Sequence, residues 1–229
     1  MFTEKAVSSG PVRILLADDH DLVRQGIRAV LQERPGWEIC GEASNGREAV
    51  EKAQLLKPDI VIVDVGMPYL NGVDATRQIT KTNPAVKVLV LTIHQSEQII
   101  NEVLEAGAKG YLLKSDAAQE LINGVESILR NKPYFTPMVA DEVLDGFLER
   151  RAGRSQYKSR ALTTREREVV QLLAEGRSSK EVAALLGLSV KTAESHRANV
   201  MRKLQIHSVG ELVLYAVRNQ IVQTTIPLK

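Results

Sequence analysis

Apolar residues along the first 130 positions follow two alternating periods. Short continuous runs, Val12–Ala17, Trp37–Ala43, Ile60–Val63, Val86–Thr92 and Gly110–Leu113, read as strands buried on both faces. Between them apolar residues recur at helical spacing. Leu22, Ile27, Val30 and Leu31 mark the first helix, and Ala49, Val50, Ala53 and Leu56 the second. Val73 and Ile79 mark a third, Ile99, Ile100, Val103 and Leu104 a fourth, and Leu121, Val125, Ile128 and Leu129 a fifth. Five strand–helix alternations predict an α/β domain, a parallel sheet covered by helices on both faces through right-handed crossovers. Turn-forming pairs stand at the joints: Asn45-Gly46, Lys57-Pro58, Asn71-Gly72, Asn83-Pro84 and Ala106-Gly107.

Beyond this domain, taken as residues 11–132, the pattern changes. Residues 137–149 carry Val139, Val143, Leu144, Phe147 and Leu148 at helical spacing, a short amphipathic helix. Arg150–Arg160 holds five basic residues, no acidic ones and little to bury, so 133–160 reads as a linker with a short helix. From Leu162 onward the periodicity is helical. Thr163 or Thr164 caps a helix over Arg165–Glu175, with Glu166 or Glu168 in its first turn, and Gly176 stops it. Ser178 or Ser179 opens the next helix, Gly187 breaks it, Ser189 caps a third running to Leu204, and a fourth spans Val209–Asn219. A smaller all-α domain over 161–224 follows.

Charge separates the two regions. Residues 1–159 carry 19 Lys and Arg against 22 Asp and Glu, whereas 160–229 carry 11 against 6. The basic C-terminal part suits nucleic acid. At 44 % hydrophobic and 25 % charged residues the chain is ordinary for a globular protein. No apolar run approaches the ~18–20 residues of a membrane span, and the N-terminus has no secretion-type apolar stretch. The single cysteine, Cys40, excludes an intramolecular disulfide and a Cys-rich metal site, and reads as a core residue. A soluble cytoplasmic protein is the expectation.

Polar residues cluster at the strand ends. The first strand runs into Asp18-Asp19, the third into Asp64, the fourth ends at Thr92, and the fifth runs into Lys114. In an open doubly wound sheet the carboxyl ends of the strands border the ligand crevice. Three carboxylates gathered there repel one another unless a cation lies among them. Oxygen ligands without Cys or paired His point to Mg2+. An ammonium and a hydroxyl beside a metal-bound carboxylate suit an aspartyl-phosphate. His20 and His94 adjoin the cluster, but no His spacing makes a zinc site, and neither is assigned a role.

These residues bring a family into view. Residues 12–131 resemble the receiver domain of two-component response regulators in Leu15-Leu16-Ala17-Asp18-Asp19, Val63-Asp64-Val65-Gly66-Met67-Pro68, Leu91-Thr92 and Gly110-Tyr111-Leu112-Leu113-Lys114. The resemblance implies a five-stranded, flavodoxin-like sheet of order 2-1-3-4-5. It makes Asp64 the phosphoacceptor and Asp18, Asp19, Asp64 and the Gly66 backbone carbonyl the Mg2+ ligands. Thr92 and Lys114 would bind phosphoryl oxygens, and Tyr111 would be the switch aromatic. Ser115 follows the lysine where many receivers carry Pro.

Helices over Ser179–Leu186 and Ser189–Leu204, joined around Gly187-Leu188, form a helix-turn-helix pattern. In the second of them Ala193, Val200 and Leu204, with His196 alongside, make the buried stripe. Lys191, Thr192, Glu194, Ser195, Ala198, Asn199 and Arg202 then face outward, with Arg197 at the side, as a helix reading the major groove of duplex DNA requires. Leu162–Val222 resembles the LuxR-type DNA-binding domain through Leu162-Thr163-Thr164-Arg165-Glu166-Arg167-Glu168-Val169, Ser179-Lys180-Glu181-Val182-Ala183 and Val190-Lys191-Thr192-Ala193-Glu194-Ser195-His196-Arg197. Together the two resemblances describe a NarL/FixJ-type response regulator. They imply a sensor histidine kinase as phosphodonor, a homodimer paired through the last helix when phosphorylated, and a recognition helix freed by phosphorylation. In that family Glu166 is usually structural. A phosphorylation-independent DNA-binding regulator, its receiver serving as a protein scaffold, is the second reading. An aspartate-nucleophile phosphatase would place a second acid where Gly66 stands, so an enzyme is not expected.

Overall fold

The computed structural model describes residues 10–93, 96–116, 118–136, 139–140 and 162–222. Strands β1 (Val12–Ala17), β2 (Trp37–Ala43), β3 (Ile60–Val63), β4 (Lys87–Thr92) and β5 (Gly110–Leu113) alternate with helices α1 (Asp21–Gln32), α2 (Gly46–Leu56), α3 (Gly72–Thr82), α4 (Glu97–Glu105) and α5 (Ala118–Leu129). The sheet is parallel throughout, but it has six strands in the order β2-β1-β3-β4-β5-β6, not the five expected. The added strand, β6 (Tyr134–Phe135), begins just past the expected end of the domain at 132. After α5 the chain reverses at Asn131, whose φ is +61°, and the Tyr134 N–H donates to the Lys109 carbonyl at 3.0 Å. This covers an edge of β5 that five strands would leave unpaired. The helix expected over 137–149 and the linker to 160 lie outside the described residues, apart from Val139 and Ala140.

Side-chain alternation along the strands builds two cores. Ile14, Leu16, Ile60, Ile62, Leu89 and Leu112 point to the side covered by Ile27 and Leu31 of α1 and Leu121, Val125 and Ile128 of α5. Leu15, Val61, Val63, Val88 and Val90 point to the side covered by α2, α3 and α4, through residues such as Ala49, Val73 and Val103. Cys40 is only partly buried against this second core, its thiol donating to the Ile14 carbonyl at 3.4 Å.

The C-terminal helices are α6 (Thr164–Ala174), α7 (Ser179–Leu186), α8 (Val190–Leu204) and α9 (Val209–Arg218). Of the paired candidates for each cap, Thr163 and Ser178 are the ones that bond, in reciprocal capping boxes with Glu166 and Glu181. Ser189 and Ser208 cap α8 and α9. Gly187, at φ +62°, ends α7 in the left-handed region where glycine carries no Cβ penalty. Val169, Leu172, Val182, Val200, Leu212 and Ala216 fill this smaller core.

One close approach positions the strand-end residues. A Cβ on Gly72, the first residue of α3, would lie 1.9 Å from the Asp64 carbonyl oxygen, so only glycine lets α3 start against the end of β3. Gly72→Ala is therefore expected to cost about 3 kcal/mol in urea unfolding. Gly26→Ala, in exposed helix with open space around it, should instead stabilise by about 0.5–1 kcal/mol. Equal midpoints for the two variants would refute this packing.

Candidate acidic site and nucleic-acid interface

Register brings the acidic residues together. Ala17 pairs with Val63, so the residues that follow, Asp18 and Asp64, leave adjacent strands side by side. Thr92 pairs with Leu113 across β4 and β5, which sets Lys114 next to it, the Lys114 N–H donating to the Thr92 carbonyl at 2.8 Å. The Lys114 Nζ reaches across to Asp18 Oδ2 at 2.6 Å and Asp64 Oδ2 at 3.0 Å. Asp18, Asp64 and Thr92 are buried, Asp19 is exposed, and Gly66 is half-buried on the loop that follows. Ligand atoms of Asp18, Asp19, His20 and Asp64 all fall within 4.8 Å of one another. His20, assigned no role from sequence, thus stands with the carboxylates, its Nδ1 2.8 Å from Asp19 Oδ1. His94 lies outside the described residues.

Electrostatics at the site are a contest between burial and pairing. Burial pushes the Asp64 carboxyl above its usual range, with Lys114 opposing and Asp18 adding to the rise. Burial also works against the Lys114 ammonium, but the two carboxylates outweigh it and hold its pKa above the ordinary value. The other Asp64 oxygen, Oδ1, is buried without a hydrogen-bond partner. An orphaned anionic oxygen facing two more carboxylates is a fitting ligand set for a hard divalent cation. Tyr111 pairs with Val90 and is wholly buried, 0 % exposed, so it already sits inside the domain.

On α8 the expected stripe is borne out. Ala193 and Val200 are buried, and His196 and Leu204 are half-buried. Lys191, Thr192, Glu194, Ser195, Ala198, Asn199 and Arg202 are exposed and Arg197 is half-buried beside them. Near the C-terminal end of α8, Lys203 pairs with Glu166 at 2.7 Å, which ties the helix to the α6 cap and gives Glu166 a structural part.

Comparison with known proteins assigns the family. Residues 14–126 match the response regulator receiver domain, and 160–216 match the bacterial regulatory proteins of the luxR family. The chain is 36 % identical over 211 residues to the transcriptional regulatory protein LiaR of Bacillus subtilis, covering 92 % of this chain and 99 % of that one. It is 34 % identical over 217 residues to the response regulator protein VraR of Staphylococcus aureus, covering 93 % and 99 %. The chain is a LuxR-type response regulator. Among solved structures it resembles a LuxR-family regulator from Aurantimonas, with TM-score 0.58 and 36 % identity over 61 % of this chain and all of that one. RcsB from Salmonella enterica serovar Typhimurium bound to promoter rprA with phosphomimetic BeF3- matches at TM-score 0.58 and 26 % identity over 90 % of this chain and 98 % of that one. The family consists of DNA-binding transcriptional regulators of two-component systems. Among the described residues no helix is long and apolar enough to cross a membrane.

The receiver and DNA-binding domains of this response regulator are docked, through residues that sequence reasoning missed. The guanidinium of Arg167 on α6 lies between Asp74 at 3.3 Å and Glu102 at 2.8 Å. Buried Gln171 donates to the Met67 carbonyl at 3.0 Å and accepts from the Asn71 N–H at 2.8 Å. The Tyr69 N–H donates to both oxygens of Glu175, at 3.0 and 3.2 Å, while Arg177 stacks 5.1 Å from the Tyr69 ring centroid. Arg47 and Gln78 hold Glu168. The docked element is α6. Phosphorylation was expected to free the recognition helix, yet that helix is already exposed in the docked form.

Removing the ammonium tests the electrostatic account. Lys114→Met leaves two buried carboxylates facing each other and should lower unfolding free energy by about 3 kcal/mol in metal-free buffer. Adding millimolar Mg2+ should narrow the deficit. A variant as stable as wild type without metal would contradict the pairing.

Proposed function

We propose that this response regulator is a phosphorylation-gated DNA-binding transcription factor acting in the cytoplasm, with Asp64 as the residue that accepts phosphate from a sensor histidine kinase. What carries the reading is the buried Asp64 carboxylate with one oxygen unpartnered and the other within reach of Lys114. An Asp64 oxygen attacks phosphorus of a phosphohistidine, the P–N bond breaks, and the leaving imidazole takes up a proton. Asp18, Asp19, Asp64 and the Gly66 carbonyl are the residues to hold Mg2+, which neutralises charge on the transferring phosphoryl group. Lys114 then exchanges its carboxylate partners for a phosphoryl oxygen, and the Thr92 hydroxyl donates to another. Tyr111, buried on β5 and paired with Val90, is the switch aromatic of this reading.

The output is duplex DNA binding as a homodimer paired through α9. Its exposed Val209 and Leu214 offer apolar surface for that pairing. Lys191, Arg197 and Arg202 contact phosphates, while Thr192, Glu194, Ser195, Ala198 and Asn199 approach base edges in the major groove. Because gating is a population shift, unphosphorylated protein retains some affinity.

Acetyl phosphate with Mg2+ should raise promoter-DNA affinity of wild type and leave Asp64→Asn unchanged, as read by electrophoretic mobility. Equal gains would remove Asp64 as the switch. On the DNA side, Arg202→Ala should weaken binding to all sequences and reduce the slope of log affinity against log salt by about one.

A further inference from the structure

The seven residues between Asp64 and Gly72 serve two masters. At one end, Val65 follows Asp64 directly and its carbonyl accepts from the Met67 N–H at 3.1 Å and the Gly72 N–H at 2.8 Å, closing the loop on itself. Along its length the main chain of Met67, Tyr69 and Asn71 is what Gln171 and Glu175 of the DNA-binding domain hold. The loop has no slack to separate the two jobs. Tyr69 sits at φ +64°, a left-handed conformation costly for an aromatic residue, and Gly72 is pressed against the Asp64 carbonyl.

We propose that divalent-cation binding at the acidic site and docking of α6 are linked through the main chain of residues 65–71, each weakening the other. This rests on the proposed metal site and adds to it the regulation of domain docking. Mg2+ demands near-ideal octahedral geometry, and drawing Asp64 and the Gly66 carbonyl toward one ion turns the peptide planes that follow. Those planes present the Met67 carbonyl and the Tyr69 and Asn71 N–H groups to Gln171 and Glu175. The Gln171 amide also donates to Glu175 Oε1 at 2.8 Å, so the two side chains brace each other in the orientation that meets the docked loop, and a loop turned toward the cation loses that fit. Coupling of this kind is reciprocal: what loosens docking must tighten metal binding by the same factor. Asp64 phosphorylation would then act on a contact that the cation has already begun to loosen.

The test uses the full chain and Mg2+ alone, with no phosphodonor. In wild type, saturating Mg2+ should speed hydrogen exchange at the Tyr69 and Asn71 amides, the two donors to α6, by roughly fivefold or more. In calorimetric titration, the double variant Gln171→Ala with Glu175→Ala should bind Mg2+ tighter by the same factor. Lys180→Ala, exposed on α7 and away from the seam, should bind it as wild type does. Unchanged or slowed amide exchange in wild type overturns the linkage and needs no variant, so a double variant that misfolds does not protect the idea. Equal Mg2+ affinity in a folded double variant also overturns it. Absence of any Mg2+ binding by wild type would overturn the metal site itself, and binding without linkage would overturn only the coupling.

Discussion

Two carboxylates buried at the ends of neighbouring strands are the constraint around which this molecule is arranged. Like charges within 4.8 Å of each other in a desolvated site are tolerated only with a compensating cation. In the structure that cation is the Lys114 ammonium, delivered by a strand two places along the sheet. The compensation is incomplete, since one Asp64 oxygen still lacks a partner. An acidic crevice left partly unsatisfied is poised to take a further cation or to give up a carboxylate charge to a covalent bond. Sheet register, the glycine at the start of α3 and the burial of Thr92 all serve to hold that arrangement in place.

The second organising feature is the seam between domains, built largely from charge-assisted and amide hydrogen bonds. Arg167 sits between two carboxylates, and Gln171 bonds main chain as another strand would, giving one donor and accepting one. The contact lands on the loop next to the acidic site and leaves the groove-reading face of α8 open. Docking in this chain therefore restrains the arrangement of the DNA-binding domain, its α6 and the neighbouring Tyr215 of α9, whose hydroxyl pKa burial raises.

Most of the fold and the acidic site were legible in the sequence because both are local. Mainly apolar runs of four to seven residues bounded by turn-forming pairs read as strands, and a polar residue directly after such a run falls at the end of the sheet. That logic finds Asp18, Asp64 and Lys114 without any knowledge of their partners. The stripe of α8 was equally readable, since Ala193 and Val200 fix which face is hidden. Strand β6 was not, because two residues carry no periodicity and their pairing depends on an edge created elsewhere. His20 was passed over because a lone histidine beside carboxylates is ordinarily a solvated helix-start residue. The docking residues were illegible for a different reason. Arg167, Gln171 and Glu175 have the composition of any solvent-facing helix. Gln171 and Glu175 bond main-chain groups about a hundred positions away that carry no sequence signature, and Arg167 meets the carboxylates of Asp74 and Glu102, 93 and 65 positions away.

A seam made of ions and amides has a further property. Parting it lets water take the place of the ionic and amide bonds that are lost, with Tyr69 the apolar group uncovered from the C-terminal core. Water competes well for such bonds, so opening costs less than parting a hydrophobic joint of the same extent would. The two arrangements can thus lie close in energy, and a modest chemical event at one aspartate is enough to tip a whole domain.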